Sequence, residues 1–409
     1  MDGARTRGQP TALAAIGAMV AGPAPHAVLF GGPSGVGKTT LALDLAAGLL
    51  CAAPDARVRP CRACRACRMV DHGNHPDLHR LGPVGPALQV VIGGPDAKFR
   101  GVRDLVAELA LLPLEGGARV AVIEGADRMN DDAQSALLKT LEEPPAGVTI
   151  VLCADEEERL LPTVRSRCAR VRVGAVGTRD IEAILVEHDV VDAPTAARLA
   201  RLAAGRPGLA LAYARAPGAV VIRAELARGL LDLFDARPAA RVAALRELVP
   251  RAAELANALE PPAAAGPGTQ PKRGGARGRA GASPRTDAQP AERAADGTSA
   301  PGTVEPEADD EPSRRVPAAE RRRAAGLLIA TWTDLARDLL LVGLGQPGAI
   351  RDLGLFDELQ ERAGHVAPNE LTAFLHRLAA AGERLEGNVM PELLLDSLVL
   401  AWPHRAAAA

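Results

Sequence analysis

Gly32-Pro33-Ser34-Gly35-Val36-Gly37-Lys38-Thr39, entered from the apolar run Ala27–Phe30 and left through a helical pattern from Thr39 to Leu50, decides the fold. The octapeptide satisfies G-x-x-x-x-G-K-[ST] in the strand–turn–helix setting that this pattern requires. Its glycines let backbone N–H groups converge on phosphate oxygens, and the N-terminus of the following helix adds its dipole. Lys38 is placed to reach the β- and γ-phosphates, and Thr39 to ligate Mg²⁺. Gly32, Gly35, Val36, Gly37, Lys38, Thr39 and Thr40 are therefore the expected nucleotide-binding residues, with ATP and Mg²⁺ as ligands. Only four of the 48 basic residues are lysines, which makes the lysine at this position hard to ascribe to composition.

Outward from this loop, short apolar runs alternate with helical patterns as far as Cys168, the signature of a parallel α/β sheet. Arg119–Ile123 and Val148–Cys153 read as strands; Val102–Leu112 and Asp131–Glu143 read as helices, the second stopped by Pro144 and Pro145. From Thr178 the strand signals fade. Thr178–His188 and Ala193–Ala204 read as short amphipathic helices, with Gly205 placed to cap the second. Helical patterns resume over Ala219–Leu259 and from Ala318 to Trp402. Between them, residues 261–317 hold ten prolines and eight glycines, and Val304 and Val316 are their only large apolar residues. Such a stretch cannot bury enough surface to offset chain entropy, so a disordered linker is expected, basic in its first half and acidic in its second.

Composition narrows the classes further. Net charge is -2, which excludes a uniformly basic coat for nucleic acid. With 47% hydrophobic and 2% aromatic residues, the cores must be built from Ala, Leu and Val. No run of 18 uncharged apolar residues is present, so no membrane association is expected. Arg5 and Arg7 ahead of Thr11–Ala21 imitate a weak signal peptide, but that stretch leads directly into the strand and phosphate loop. A cytoplasmic protein is expected.

Cys51, Cys61, Cys64 and Cys67 supply four thiols within 17 positions. Paired C-x2-C turns present sulfurs on one side of a tight bend, and a closed tetrathiolate leaves no position for water. The expected role is a structural Zn²⁺ site in a module of about residues 51–80. His72, His75 and His79 lie close enough to replace a cysteine, although four thiols already suffice. Cys153 reads as an ordinary buried strand residue.

The strand Arg119–Ile123 runs into Glu124-Gly125-Ala126-Asp127. An active P-loop ATPase carries Asp for the Mg²⁺ shell here, followed by Glu to activate water. Glu124 can still lean on a magnesium water, but Gly125 offers no base, and Asp127 falls two residues further on.

The order of phosphate loop, four-cysteine insertion, His75-Pro76-Asp77, Leu137-Leu138-Lys139-Thr140-Leu141-Glu142-Glu143-Pro144-Pro145 and Ser166-Arg167-Cys168 closely resembles bacterial replicative clamp loaders. These are AAA+ proteins of the DNA polymerase III holoenzyme. The resemblance spans roughly residues 10–216 and implies an AAA+ domain with a zinc module over 1–175. A helical lid over 176–217 and an all-α collar for oligomerisation over 218–409, interrupted by 261–317, would follow. Motor subunits (gamma/tau) keep the acidic pair, which here is Glu124-Gly125, and a lid arginine in Gly-x-x-Arg. The matching stretch is Gly205-Arg206-Pro207-Gly208, with Arg206 two residues early. Both departures resemble delta-prime, an ATPase-inactive stator of the ring. In that family the Ser-Arg-Cys arginine lies at the subunit boundary, so Arg167 is implied as an arginine finger acting in trans, with Arg165 a weaker candidate. The implied partners are gamma/tau and delta subunits, and, through the complex, the sliding clamp and primed DNA. The alternatives are an active gamma/tau-type ATPase and a P-loop small-molecule kinase; the kinase leaves the cysteines and Ser166–Cys168 unexplained.

Overall fold

The computed structural model describes residues 1, 3–85, 88–115, 117–259, 318–385 and 389–404. The expected linker 261–317 lies outside the described residues. The first part of the chain runs α1 (Pro10–Ala21), β1 (Ala27–Gly31), α2 (Lys38–Leu49), α3 (Arg65–Asp71), β2 (Leu78–Leu81) and α4 (Val102–Leu109). It continues with β3 (Arg119–Ile123), α5 (Asp131–Glu142), β4 (Val148–Ala154), α6 (Pro162–Arg165) and β5 (Ala169–Arg172). The five strands form one parallel sheet in the order β2-β3-β4-β1-β5.

β1, β3 and β4 are buried along their whole length, as expected for a parallel sheet covered on both faces. The period of two divides them cleanly. Ala27, Leu29, Ala121, Ile123, Ile150 and Leu152 pack with α4 and α5. Val28, Phe30, Val120, Val122 and Val151 pack with α1 and α2 on the other face. In register, Gly31 lies opposite Ala154 and Arg172. The carboxyl ends of β1, β3 and β4 therefore converge, the position where parallel sheets place ligands.

The edge strands β2 and β5 carry weak sequence signals. Each has four residues, and the solvent-facing positions of β5 are arginines, so neither carries the continuous apolar run that marks a central strand. The α4 helix is shorter than its apolar pattern implied. It stops at Leu109, and Leu111 and Leu112 stand exposed ahead of Pro113, whose ring disfavours helix in the residue before it. Residues 78–80, the expected end of the cysteine module, belong to β2.

Among the described residues all later elements are helical: α7 (Thr178–Glu187), α8 (Ala193–Leu202), α9 (Pro207–Arg215), α10 (Pro217–Asp232) and α11 (Pro238–Ala258). After the undescribed residues come α12 (Ala318–Gly343), α13 (Phe356–Ala363), α14 (Pro368–Leu385) and α15 (Pro391–Ala401). One apolar cluster runs through them from Val176 to Trp402. The scarce aromatics are concentrated in it: Trp402 meets Trp332, Phe374 and Phe234 edgewise with centroids 5.5, 4.8 and 5.4 Å away, and Trp332 and Phe374 lie tilted at 5.3 Å. α11 and α12, which flank the undescribed stretch, pack against each other. Among the described residues no helix is long and apolar enough to cross a membrane.

Candidate functional site

The phosphate loop needs its glycines for two separate reasons. Gly32 (φ +152°) passes so close to the residue that follows β5 that a Cβ would sit 1.9 Å from the Val173 carbonyl oxygen. Gly37 (φ +103°) has open space around it, and there the left-handed backbone alone requires glycine. It opens α2, and Lys38 follows as the first helical residue, almost fully buried. The Lys38 Nζ donates to the carbonyls of Gly32 (2.6 Å) and Pro33 (2.7 Å) and to Asp155 Oδ1 (2.5 Å). All three ammonium donors are thus satisfied within the chain. Thr39 is half-buried with Oγ1 3.5 Å from Glu124 Oε2, while Val36 is buried and Thr40 exposed.

The acidic side of the site is also occupied from within. The Glu124 backbone extends the β2–β3 ladder by donating to the Leu81 carbonyl, which sets its side chain beside Arg80. Arg80 Nε and Nη2 then donate to Glu124 Oε1 at 3.1 and 2.6 Å. Gly125 (φ +59°) turns the chain, and Asp127 is buried beneath the site, where its Oδ1 accepts the Asp155 backbone N–H at 3.0 Å. Burial raises the Asp127 carboxyl above its ordinary range. Asp127 thereby orients Asp155, the residue that holds Lys38. A cavity of about 570 Å³ opens beside the loop, lined by Gly31, Gly32, Asp155, Glu157, Arg170 and Arg172. It has the size of a nucleotide-scale site.

From the other side, the first turn of α9 reaches the loop through backbone. Ala204 (φ +52°) and Gly205 (φ +83°) end α8, and the Gly208 N–H donates to the Gly35 carbonyl at 3.0 Å. A Cβ on Gly208 would lie 3.2 Å from that oxygen. Arg206 turns its Nε back to the Ala203 carbonyl and lines a cavity with Pro33, Val36, Asp334 and Arg351.

Two motifs distant in sequence meet at the surface. Arg167 lies in the turn between α6 and β5 and is one-third exposed. Its Nη2 donates to Glu142 Oε1 at 2.6 Å, at the end of the helix that carries Leu137–Glu142, and its Nη1 to the Thr163 carbonyl at 2.9 Å. None of these contacts reaches Lys38, Thr39 or Glu124. Arg165 is held differently, with a buried Nε that lacks a hydrogen-bond partner among the described residues. Cys168 donates to the Val164 carbonyl, and burial pushes its thiol up to about 11.

Residues 10–176 match the family described as DNA polymerase III, delta subunit. The DNA polymerase III subunit delta' of Bacillus subtilis is 37% identical over 42% of this chain and 49% of its own length. In its N-terminal part the chain resembles bacterial clamp-loader subunits of the delta-prime type. The subunit delta' of Escherichia coli is 36% identical over 47% of this chain and 55% of its own. The subunit tau of the same organism is 32% identical over 44% of this chain and 27% of its own. The chain thus spans about half the length of the curated delta-prime relatives it matches. Among solved structures, a gamma subunit-related protein of Thermotoga maritima aligns with 91% of this chain and 99% of its own at 16% identity, with a TM-score of 0.33.

The delta-prime-like domain carries the four cysteines as a compact group. Cys51 lies two residues after α2, Cys61 lies in the turn that leads to α3, and Cys64 caps α3, one turn before Cys67. Their four sulfurs lie within 4.8 Å of one another, with Cys51 3.5 Å from Cys61 and 4.0 Å from Cys64. A tetrahedral thiolate site with metal–sulfur bonds of about 2.3 Å has edges of about 3.8 Å, so the group fits a metal ion. Backbone N–H donors point at the sulfurs: Cys64 at Cys61 (3.4 Å) and Cys67 at Cys64 (3.3 Å). The Cys64 and Ala63 amides draw the Cys61 thiol down to about 6, whereas burial raises Cys67.

The nearby histidines stand outside this group. His75 Nδ1 accepts the Asp77 amide at 3.1 Å, and His79 pairs with Glu108 at 2.8 Å. His75-Pro76-Asp77 is a structural device. Asp77, fully buried, accepts the amides of Leu114 and Glu115 at 2.7 and 2.8 Å and faces Arg119. Burial opposes its charge, but these donors outweigh it and hold the carboxyl below its ordinary range. Sequence reasoning missed Asp155 and Arg80. The position after a buried central strand signals the first; nothing local to an edge strand signals the second.

Proposed function

We propose that this chain is a delta-prime-like subunit of a bacterial replicative clamp loader, a stator that turns over little ATP itself and supplies Arg167 in trans to a neighbouring motor subunit. One observation carries the reading. Arg167 stands at the surface on the Glu142 helix end, while Lys38 and Glu124 are each paired within the chain and Gly125 offers no water-activating side chain. A guanidinium suits the trans role, because its charge and donor fork match the oxygens of a γ-phosphate in transfer. Residues 1–175 act as the AAA+ domain, 176–217 as its lid, and 218–409 as the collar that joins gamma/tau and delta subunits. The assembled complex then acts on the sliding clamp and primed DNA. Cys51, Cys61, Cys64 and Cys67 hold a structural Zn²⁺, and bound metal contributes on the order of 10 kcal/mol to the folding of the knuckle. Gly32, Gly35, Val36, Gly37, Lys38, Thr39 and Thr40 retain the capacity to bind ATP.

A motor-type reading is favoured by the intact loop and by the Thr39–Glu124 approach, which leaves a place for Mg²⁺ between hydroxyl and carboxylate. Co-purification with gamma/tau and delta, followed by ATP turnover of the chain alone, separates the two. The stator reading expects a stable complex and no Lys38-dependent turnover by the isolated chain. Robust turnover abolished by Lys38→Ala would establish a motor.

A further inference from the structure

We propose that Arg62, in the turn between Cys61 and Cys64, is a positioning residue that couples the cysteine knuckle to the phosphate-binding helix α2. The starting point is Asp44. It is the only charged residue of α2 after Lys38, it lies in an otherwise apolar stretch, and its side chain has no solvent exposure. A carboxylate in that position must find donors and a countercharge from its own chain. The donors come from the N-terminal segment: the amides of Arg5 (3.0 Å) and Thr6 (2.8 Å) and the Thr6 hydroxyl (2.7 Å). The countercharge comes from the knuckle, where Arg62 Nη2 donates to Asp44 Oδ1.

Arg62 is a hub in its own right. Its Nη1 donates to Asp71 Oδ1 on α3, and its Nε donates to the Gly3 carbonyl at 2.8 Å. Three elements are thus gathered by one guanidinium: the N-terminal segment, α2 and α3. The residue holds φ +54°, a left-handed conformation that a non-glycine residue adopts only when its surroundings impose it. The surroundings here are the C-x2-C turn itself. Sulfurs gathered on a metal fix that turn, and the turn aims the guanidinium at Asp44. α2 also connects the two sites directly, since it begins at Lys38 and ends two residues before Cys51. Loss of the knuckle's shape therefore strips the buried carboxylate on the phosphate-binding helix of its countercharge.

The coupling rests on the metal reading only where metal is removed, so the test has a metal-free arm. Hydrogen exchange is followed by mass spectrometry on the full chain, with zinc content measured on each sample. Arg62→Ala is expected to keep its metal and yet exchange about tenfold faster in peptides from 3–9 and 38–50, with 119–123 and 148–154 still protected. Arg62→Lys, which keeps the charge but not the fork, should recover part of that protection. Asp71→Asn, a milder change at the same hub, should move the same peptides less. Chelation of the wild-type protein should reproduce the Arg62→Ala pattern, and chelation of Arg62→Ala should add change only in 51–71. The proposal is overturned if Arg62→Ala and Asp71→Asn both leave 38–50 as protected as wild type. It is equally overturned if chelation of zinc-loaded wild-type protein affects 51–71 alone. A wild-type protein without zinc sinks the metal reading, while the Arg62 arm still decides the positioning role.

Discussion

The phosphate loop and the Ser166–Cys168 turn hold comparable charges in opposite ways. Lys38 is almost wholly buried and spends its donors on Gly32, Pro33 and Asp155, while Arg80 covers Glu124. Arg167 is one-third exposed and leans on Glu142, itself half exposed. An arrangement whose cations and carboxylates are matched inside the chain has little left to offer a ligand except backbone. A guanidinium held by a surface pair is released at small cost, because exposed pairs are worth about 0–1 kcal/mol. The difference teaches that an intact phosphate-loop pattern does not by itself locate the reactive charge.

The largest effect that would break this contrast is on stability. Asp155→Ala strips the buried Lys38 ammonium of its carboxylate, and we expect a loss of about 2 kcal/mol, moderated by the two carbonyls that remain. Calorimetry should show a melting point lower by about 4 °C, and an unchanged value would mean that the pair is not formed in solution.

Next comes the support behind Arg80. Its carbonyl accepts Arg100 Nη1 at 2.7 Å, and Arg100 is itself held by Glu108. Burial works against the Glu108 charge, but His79 and the Arg100 fork outweigh it and bring the carboxyl down from 4.5 to about 2. A depressed carboxyl contributes stability that is full above pH 4.5 and is lost as the pH falls toward 2. Denaturant midpoints across that window should therefore fall more steeply for wild type than for Glu108→Gln; parallel curves would contradict the linkage.

A smaller effect belongs to Arg80 itself. Arg80→Ala frees Glu124 for a magnesium water, so Mg²⁺ should tighten nucleotide binding about threefold in the variant and hardly at all in wild type. Titration calorimetry with and without Mg²⁺ measures this, and equal Mg²⁺ dependence in both proteins would show that Arg80 does not screen Glu124. Least affected should be Glu142→Gln, whose melting point should stay within about 1 °C of wild type, since only an exposed pair is lost. A larger drop would make the Arg167 turn a buried structural element and erase the contrast.

How much of this was legible in the sequence follows from where each signal is stored. Strands β1, β3 and β4 are buried on both faces, so their apolar runs and the loop glycines announce themselves within a few residues. The four cysteines carry their chemistry in their spacing. Arg80, Arg62 and Asp155 do not. Arg80 meets Glu124 across the β2–β3 register, Arg62 meets Asp44 through a turn in a left-handed conformation, and Asp155 meets Lys38 because β4 lies beside β1. Each is a pairing across the fold, and periodicity along one segment does not encode it. The same holds for Arg167 and Glu142, whose motifs were both visible and whose contact was not.

The central claim is that the working charge of this chain is Arg167, spent on a neighbour, and the most direct test is ATP turnover by one reconstituted loader carrying either Arg167→Ala or Lys38→Ala. With primed DNA and clamp present, Arg167→Ala should assemble normally and lower turnover about tenfold or more, short of complete loss because other ring interfaces keep their own arginines. Lys38→Ala should cost far less. The reverse ranking, with Lys38→Ala abolishing turnover and Arg167→Ala leaving it intact, would contradict the account.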